Sequence, residues 1–380
     1  MTWRSQQFRL KAERAGLDPD SIDASIEITE RFRTRSPNLT PILTLRHLSV
    51  LSGVGYNYLR EIIERRRDPY TLFRSNKKPS PNGAARYRII CIPEEKLLKL
   101  QRWIDYFILD HLAVDEASFG FSKGSRIRDA AALHCDAKWL IKLDIESFFE
   151  SVTELQVFRI FHKAGYEPLV ALELARLCTR YRKDNGFRGM KWRAHPHSGT
   201  IPEYSVPWLG YLPQGAPTSP KLSNLALRDF DQKVRDIAGQ HGLTYTRYAD
   251  DLTLSTLHDF DRSQASKVIG KVYSEMRSYG FSPQMTKTSV VPPGARKIVL
   301  GLGVNSDQPK LTRRFKDMLR LHIHYLTSDN HGPAVHAKHQ GNATIHGLRN
   351  HVQGLLAFAK GIEPEFSERL NEKFQSVDWP

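Results

Sequence analysis

Apolar and polar positions alternate along this chain with two different periods. Residues 1–60 read as mostly helical, broken by the polar stretch "RSPNLTPI" and the glycine-rich "SGVGYN". From Tyr70 the period shortens: "YTLFR" and "ARYRIICIP" predict two strands joined by the turn-rich, basic "SNKKPSPNGA", a β-hairpin. "PEEKLLKLQRWIDYFILDHL" then returns to helical spacing, with Leu97, Leu100, Ile104, Phe107 and Leu112 sharing a face. "KWLIKLDI" predicts a buried strand. Thr153 opens the next helix with Gln156 in capping-box spacing, and Gly165 closes it.

A second helix, "EPLVALELARLCTRY", precedes a long irregular segment from Arg182 to Tyr211. A helix after Pro220, a hairpin around residues 245–255, a helix from Gln264 to Tyr279 and a strand at "KIVLGLGVN" complete the middle of the chain. The remainder is helical and rich in histidine. This irregular mixture predicts an α+β architecture rather than a doubly wound sheet.

Charge adds a partner class. Fifty-six Lys+Arg against 41 Asp+Glu leave +15 over 380 residues, a surplus suited to a polyanion. No apolar run of membrane-spanning length and no signal segment is visible, so no membrane partner is expected. Cys91, Cys135 and Cys178 form neither a zinc pattern nor a disulfide framework, which suits the cytoplasm.

The candidate chemistry lies in "YTRYADDLTLS", where Asp250 and Asp251 adjoin between two strand-forming runs. Asp144 ends the strand "LIKLD". If that strand pairs beside the hairpin, the three carboxylates converge at one sheet edge and need cations to stay ionised. Hard oxygen ligands select Mg2+ or Mn2+, and two such ions about 4 Å apart serve in-line phosphoryl transfer. From the aspartates alone, a solvated acidic turn beside an unrelated strand-end Asp is the better reading.

The neighbouring motifs decide between them. "KLDIESFFESV", then "YLPQGAPTSPKLSNLAL", then "YADD" resemble, in that order, the catalytic core of a reverse transcriptase. "GAPTSPKLSNL" with "YTRYADDLTLS" is similar to the retron-type bacterial enzymes in particular. The resemblance spans roughly residues 70–325. It takes in "RYRIICIPEEKLLKLQRWI", "SFGFSKGSRIRDAAALH", "GFSPQMTKTSV" and "VLGLGVN", where Leu300 stands at the place of a threonine usual in retron enzymes.

The resemblance implies a right-hand polymerase with a small antiparallel palm sheet. Residues 1–60 would be a helical N-terminal extension and 61–138 the fingers. Residues 139–308 would form the palm, with remaining fingers elements and an insertion at 182–211, and 309–380 a helical thumb. It implies Asp144 and Asp250 as direct ligands of two Mg2+ ions, with Mn2+ as a substitute and Asp251 more peripheral. Tyr248 would shape the turn and face the primer end, or simply pack. Phe149, five residues after Asp144, would exclude a ribose 2′-hydroxyl, while Phe148 joins the core. Gln214 and the Gly215 turn would line the nucleotide side, and Arg86 and Arg88 would neutralise the triphosphate. Lys287 would act as general acid or as a neutralising charge.

The implied activity is copying part of a structured noncoding RNA from dNTPs into single-stranded, branched DNA (msDNA), within an antiphage system that has a separately encoded effector. Another bacterial reverse transcriptase (of group II intron or diversity-generating type) and a non-catalytic RNA-binding scaffold are the alternatives. In "RRFKDMLRLHIHYL" the period places Phe315, Met318, Leu319, Ile323, Tyr325 and Leu326 on one arc. Arg313, Lys316, Arg320 and His324 face the other way, an outward basic stripe that on sequence alone reads as a solubilising face and that the resemblance, which makes this helix part of the thumb, implies for RNA phosphates. The mixed basic and aromatic segment 182–211 offers a second surface of that kind, or a surface insertion. The C-terminal histidines lack ligand spacing and read as RNA-facing or solvated.

Overall fold

In the computed structural model, which describes residues 4–77, 86–181, 209–341 and 344–379, four helices lead the chain: α1 (Ser5–Arg14), α2 (Pro19–Arg35), α3 (Leu45–Ser52) and α4 (Tyr56–Ile63). The hairpin β1 (Tyr70–Lys77) and β2 (Arg86–Pro93) pairs antiparallel, Tyr70 opposite Pro93, and α5 (Glu95–Phe107) follows. Then come α6 (Ile127–Ala132), β3 (Trp139–Asp144), α7 (Phe148–Ser151), α8 (Glu154–Lys163) and α9 (Pro168–Cys178). After the 182–208 gap in the described residues stand α10 (Ser219–Ala226), α11 (Arg228–Gln240), β4 (Thr244–Tyr248), β5 (Asp251–Thr256) and α12 (Arg262–Ser278). Short strands β6 (Ser289–Val291), β7 (Ile298–Val299), β8 (Leu302–Gly303) and β9 (Lys310–Leu311) precede α13 (Arg313–Leu326), α14 (Gly332–His339), α15 (Ile345–Lys360) and α16 (Pro364–Gln375).

Two compact units share these elements: residues 1–121, 145–232 and 276–282 form one, and 122–144, 233–275 and 283–380 the other. The first is organised around a buried carboxylate. Thr153 and Gln156 form the expected capping box at the start of α8, which fixes Glu154 in the first turn. Glu154 is fully buried, and it accepts from Arg65, from Arg176 Nε at 3.0 Å and from the Gly210 main-chain N–H at 2.9 Å. Burial alone would raise its pKa, yet the two guanidiniums hold it below the usual carboxylate range. Removing either arginine would leave the buried carboxylate with a single guanidinium to offset its desolvation.

The second unit carries the expected small antiparallel sheet, in the order β4-β5-β3-β6. Its core continues through Leu140, Val299, Leu302 and Leu311 into Leu319, Ile323, Leu348, Val352 and Leu356 of the C-terminal helices. Three expectations are corrected here. "KIVLGLGVN" is not one strand. Leu300 and Gly301 both have positive φ, +50° and +85°, and reverse the chain in a two-residue turn between β7 and β8. Leu300 packs against the core.

On α13 the buried face is Leu319, His322, Ile323 and Leu326, while Met318 is exposed. His322 and His336 are not solvated: both are buried, and their rings are bonded Nδ1 to Nε2 at 2.9 Å. Periodicity excludes histidine from an apolar arc because it counts side chains by polarity. A histidine pair that satisfies itself escapes that rule.

Candidate active site

The central pair of strands positions the carboxylates. β3 pairs antiparallel with β5 in a register that puts Asp144 opposite Asp251, and β4 pairs with β5 so that Tyr248 also faces Asp251. Asp250 therefore falls in the two-residue turn between β4 and β5. The three aspartates meet at one end of the sheet, Asp144 and Asp251 on its two central strands and Asp250 in the adjoining turn. The turn itself is strained. Ala249 has φ +56°, a conformation that L-residues adopt at a cost of about 1–3 kcal/mol, usually where function requires it.

Burial raises the pKa of Asp144, and the neighbouring Asp250 and Asp251 charges add to that, against a pull downward from Lys287. The pKa of Asp251 is also raised, first by burial and then by the Asp250 charge. Lys287 stands in a 3₁₀ turn (Met285–Lys287), and its Nζ lies 2.6 Å from Asp144 Oδ2. One residue before that turn, the Gln284 N–H donates to the Asp144 carbonyl at 2.8 Å. Asp144 is thus held at both main chain and side chain by one short segment. Of the two roles read for Lys287, its position beside Asp144 suits charge neutralisation.

Among the described residues no three His, Cys, Asp or Glu side chains are drawn into a ready metal cage. The donor chemistry nonetheless fits a hard divalent cation. Two facing carboxylates are pushed toward protonation by burial and by a third, and positive charge would relieve that repulsion.

The remaining candidates lie in the first unit. Phe149 is half-buried, its ring 5.9 Å from that of Phe121 and 5.2 Å from that of Phe148, which is buried as expected. Gln214 binds strand β2 through its main chain, since the Cys91 N–H donates to its carbonyl at 2.7 Å. Gly215 has φ +113°, and a Cβ there would stand 2.8 Å from the Cys91 carbonyl oxygen. Only glycine lets this turn approach the strand so closely. Arg88 is exposed on β2, and Arg86 continues the same strand opposite Lys77. The side chains of Arg86 and Lys77, together with Lys78, the His195–His197 pair and the basic-aromatic segment with Trp192, Tyr204 and Trp208, lie outside the described residues.

In the second unit, Arg313 and Arg320 are exposed on α13, each ion-paired with Asp317. Lys316 is not part of an outward stripe. Its Nζ lies 2.6 Å from Glu363, and its side chain is only 23% exposed.

Two residues behind the hairpin escaped the sequence reading. Arg247 is fully buried and donates from Nη1 to the Ala249 carbonyl at 3.0 Å. His134, also fully buried, bonds Ser255 Oγ at 2.7 Å through Nδ1 and Thr246 Oγ1 at 2.8 Å through Nε2, tying β5 to β4. The available signal was an arginine set within an otherwise strand-forming run beside the aspartates.

A family model described as reverse transcriptase (RNA-dependent DNA polymerase) matches residues 76–310. The Retron Ec86 reverse transcriptase of Escherichia coli is 29% identical over 350 residues, covering 91% of this chain and 93% of its own. The Retron Mx65 reverse transcriptase of Myxococcus xanthus is 30% identical, with 92% and 79% covered. The Retron Mx162 reverse transcriptase of the same organism is 31% identical, with 77% and 60% covered. Motifs in the expected order, an aspartate pair facing across two palm strands and these similarities together lead to one conclusion. The chain belongs to the reverse transcriptases, RNA-directed DNA polymerases with a right-hand fold, and among them to the retron type.

Proposed function

We propose that this polymerase copies part of a structured noncoding RNA into single-stranded DNA, priming from a 2′-hydroxyl within that RNA to leave a branched msDNA, as one component of an antiphage system with a separate effector. The observation that carries the catalytic part is the register that sets Asp144 against Asp251 with Asp250 in the adjoining turn. The biological part rests on similarity to retron enzymes over most of the chain.

In this reading Asp144, Asp250 and Asp251 would hold two Mg2+ ions, which when bound activate the attacking hydroxyl and steady the leaving pyrophosphate. Lys287 keeps Asp144 in place and offsets the negative charge gathered there. Tyr248, opposite Asp251, supports the primer end. Phe149 excludes the 2′-hydroxyl of a ribonucleotide, Arg86 and Arg88 meet the triphosphate, and Gln214 orders the nucleotide side through its bond to the strand that bears Arg88. Arg313 and Arg320 hold RNA phosphates.

The test is primer extension on an RNA template with dNTPs and magnesium, followed by sequencing of the nucleic acid that copurifies with the protein. The reading expects DNA synthesis and one RNA species joined to DNA through a 2′–5′ bond. Unbranched DNA from many unrelated RNAs would overturn it.

A further inference from the structure

Helix α5 buries Leu97, Leu100, Gln101 and Ile104. Phe107, expected on that face from its spacing, lies outside it. It stands instead with Trp103 and Tyr106 in an aromatic cluster on the outer side of the helix. The Trp103 and Phe107 rings are 5.0 Å apart, and Tyr106 meets Phe107 edge-on at 4.8 Å. Tyr106 is 65% exposed and Phe107 39%.

Large rings seldom sit together on the open side of a helix, because leaving them in water forfeits their burial energy. The same face carries Lys96, Lys99 and Arg102, all exposed, against Glu95. Lys96 lies over the Tyr58 ring at 5.7 Å, and Lys99 reaches the Gly53 carbonyl at 3.5 Å. Arg102, one turn before Tyr106 at i,i+4 spacing, is exposed and has no ion-pair partner among the described residues.

From this juxtaposition we infer that the outer face of α5 is a docking surface for unpaired single-stranded nucleic acid, with bases stacked on Tyr106 and Phe107 and a phosphate at Arg102. Charge decides the class of partner. A surface with three cations to one carboxylate, on a chain of net charge +15, attracts a polyanion, and exposed rings accept the flat face of any unpaired base. A duplex hides its base faces and gains nothing from the rings. The face would therefore hold the unpaired stretch of template or product. The inference needs only a polymerase that handles single strands, and it is independent of which RNA is copied.

Binding of the full-length protein to a labelled unstructured homopolymer, as RNA and as DNA, is compared with binding to a blunt RNA duplex. Tyr106→Ala with Phe107→Ala should weaken single-strand binding by roughly fivefold or more for each ring that stacks a base. Duplex affinity and extension of a short template-primer should stay unchanged. Tyr106→Phe, which keeps the ring, should retain binding. Arg102→Gln should lower the log–log salt slope by about one.

Both substitutions at 106 are at an exposed site, and unchanged thermal midpoints will show that the fold is intact. Unchanged single-strand affinity would overturn the inference. So would an equal loss on duplex and single strand, or a loss confined to binding of a protein partner.

Discussion

The fully buried guanidinium of Arg247 donates to the carbonyl oxygen of Ala249, two residues on, at 3.0 Å. Ala249 occupies positive φ at the tip of the hairpin, so the bond braces the strained residue between Tyr248 and Asp250. Arg247→Met keeps the volume and removes the donor. Loss of a charged hydrogen bond should cost on the order of 1.5–3 kcal/mol of stability. Displacement of Asp250 should lower kcat by about ten- to a hundredfold while the KM for dNTP changes little. Steady-state kinetics with thermal unfolding checks both, and an unchanged kcat would show that the turn holds without this brace.

His134 gives a dependence on pH. Burial lowers its pKa to about 4 from 6.5, so the folded protein keeps it neutral between Ser255 and Thr246. A depressed pKa means the unfolded chain binds the proton first. Its contribution is fully present above about pH 6.5 and is lost as pH falls toward 4, by up to roughly 3 kcal/mol. Unfolding measured across that window should show a steeper fall for the native chain than for His134→Asn. Identical slopes would remove His134 from the account.

The role proposed for Phe149 is sugar selection. Replacing it with Val or Ala should raise the ratio of ribonucleotide to deoxynucleotide incorporation, measured by competition in single-nucleotide extension. An unchanged ratio would assign the discrimination to another side chain.

The sequence made the aspartate-bearing end of the sheet legible because strand period, turn residues and carboxylates coincide there. Asp144 and Asp251 fall at the ends of apolar strands, and antiparallel pairing then leaves few registers that keep the apolar positions buried. Arg247, His134 and the Glu154 network were not legible. His134 and Glu154 are polar side chains whose burial depends on partners far away in sequence, and Arg247 bonds a main-chain carbonyl at the hairpin tip; local periodicity carries no information about either kind of partner. Phe107 was misplaced for the converse reason, since spacing puts it at the border of the buried arc and only packing shows which side it takes.

Helix α13 divides its basic residues into two kinds. Arg313 is 90% exposed, whereas Lys316 is tied to Glu363, which in turn accepts the Leu311 N–H at 2.8 Å. Arg313→Gln should flatten the salt dependence of RNA binding by about one unit of log–log slope and leave stability unchanged. Lys316→Gln should lower the thermal midpoint and leave that slope alone. The reverse pattern would return Lys316 to the RNA-binding stripe.

The central claim is that the carboxylates gathered where β3 meets the β4–β5 turn perform the polymerisation. The most direct measurement is extension of a primer on an RNA template by the double variant Asp250→Asn, Asp251→Asn, alongside its RNA affinity. Both substitutions preserve size and remove charge. The account predicts no detectable DNA synthesis with RNA affinity close to that of the native chain, and a double variant that still extends the primer would contradict it.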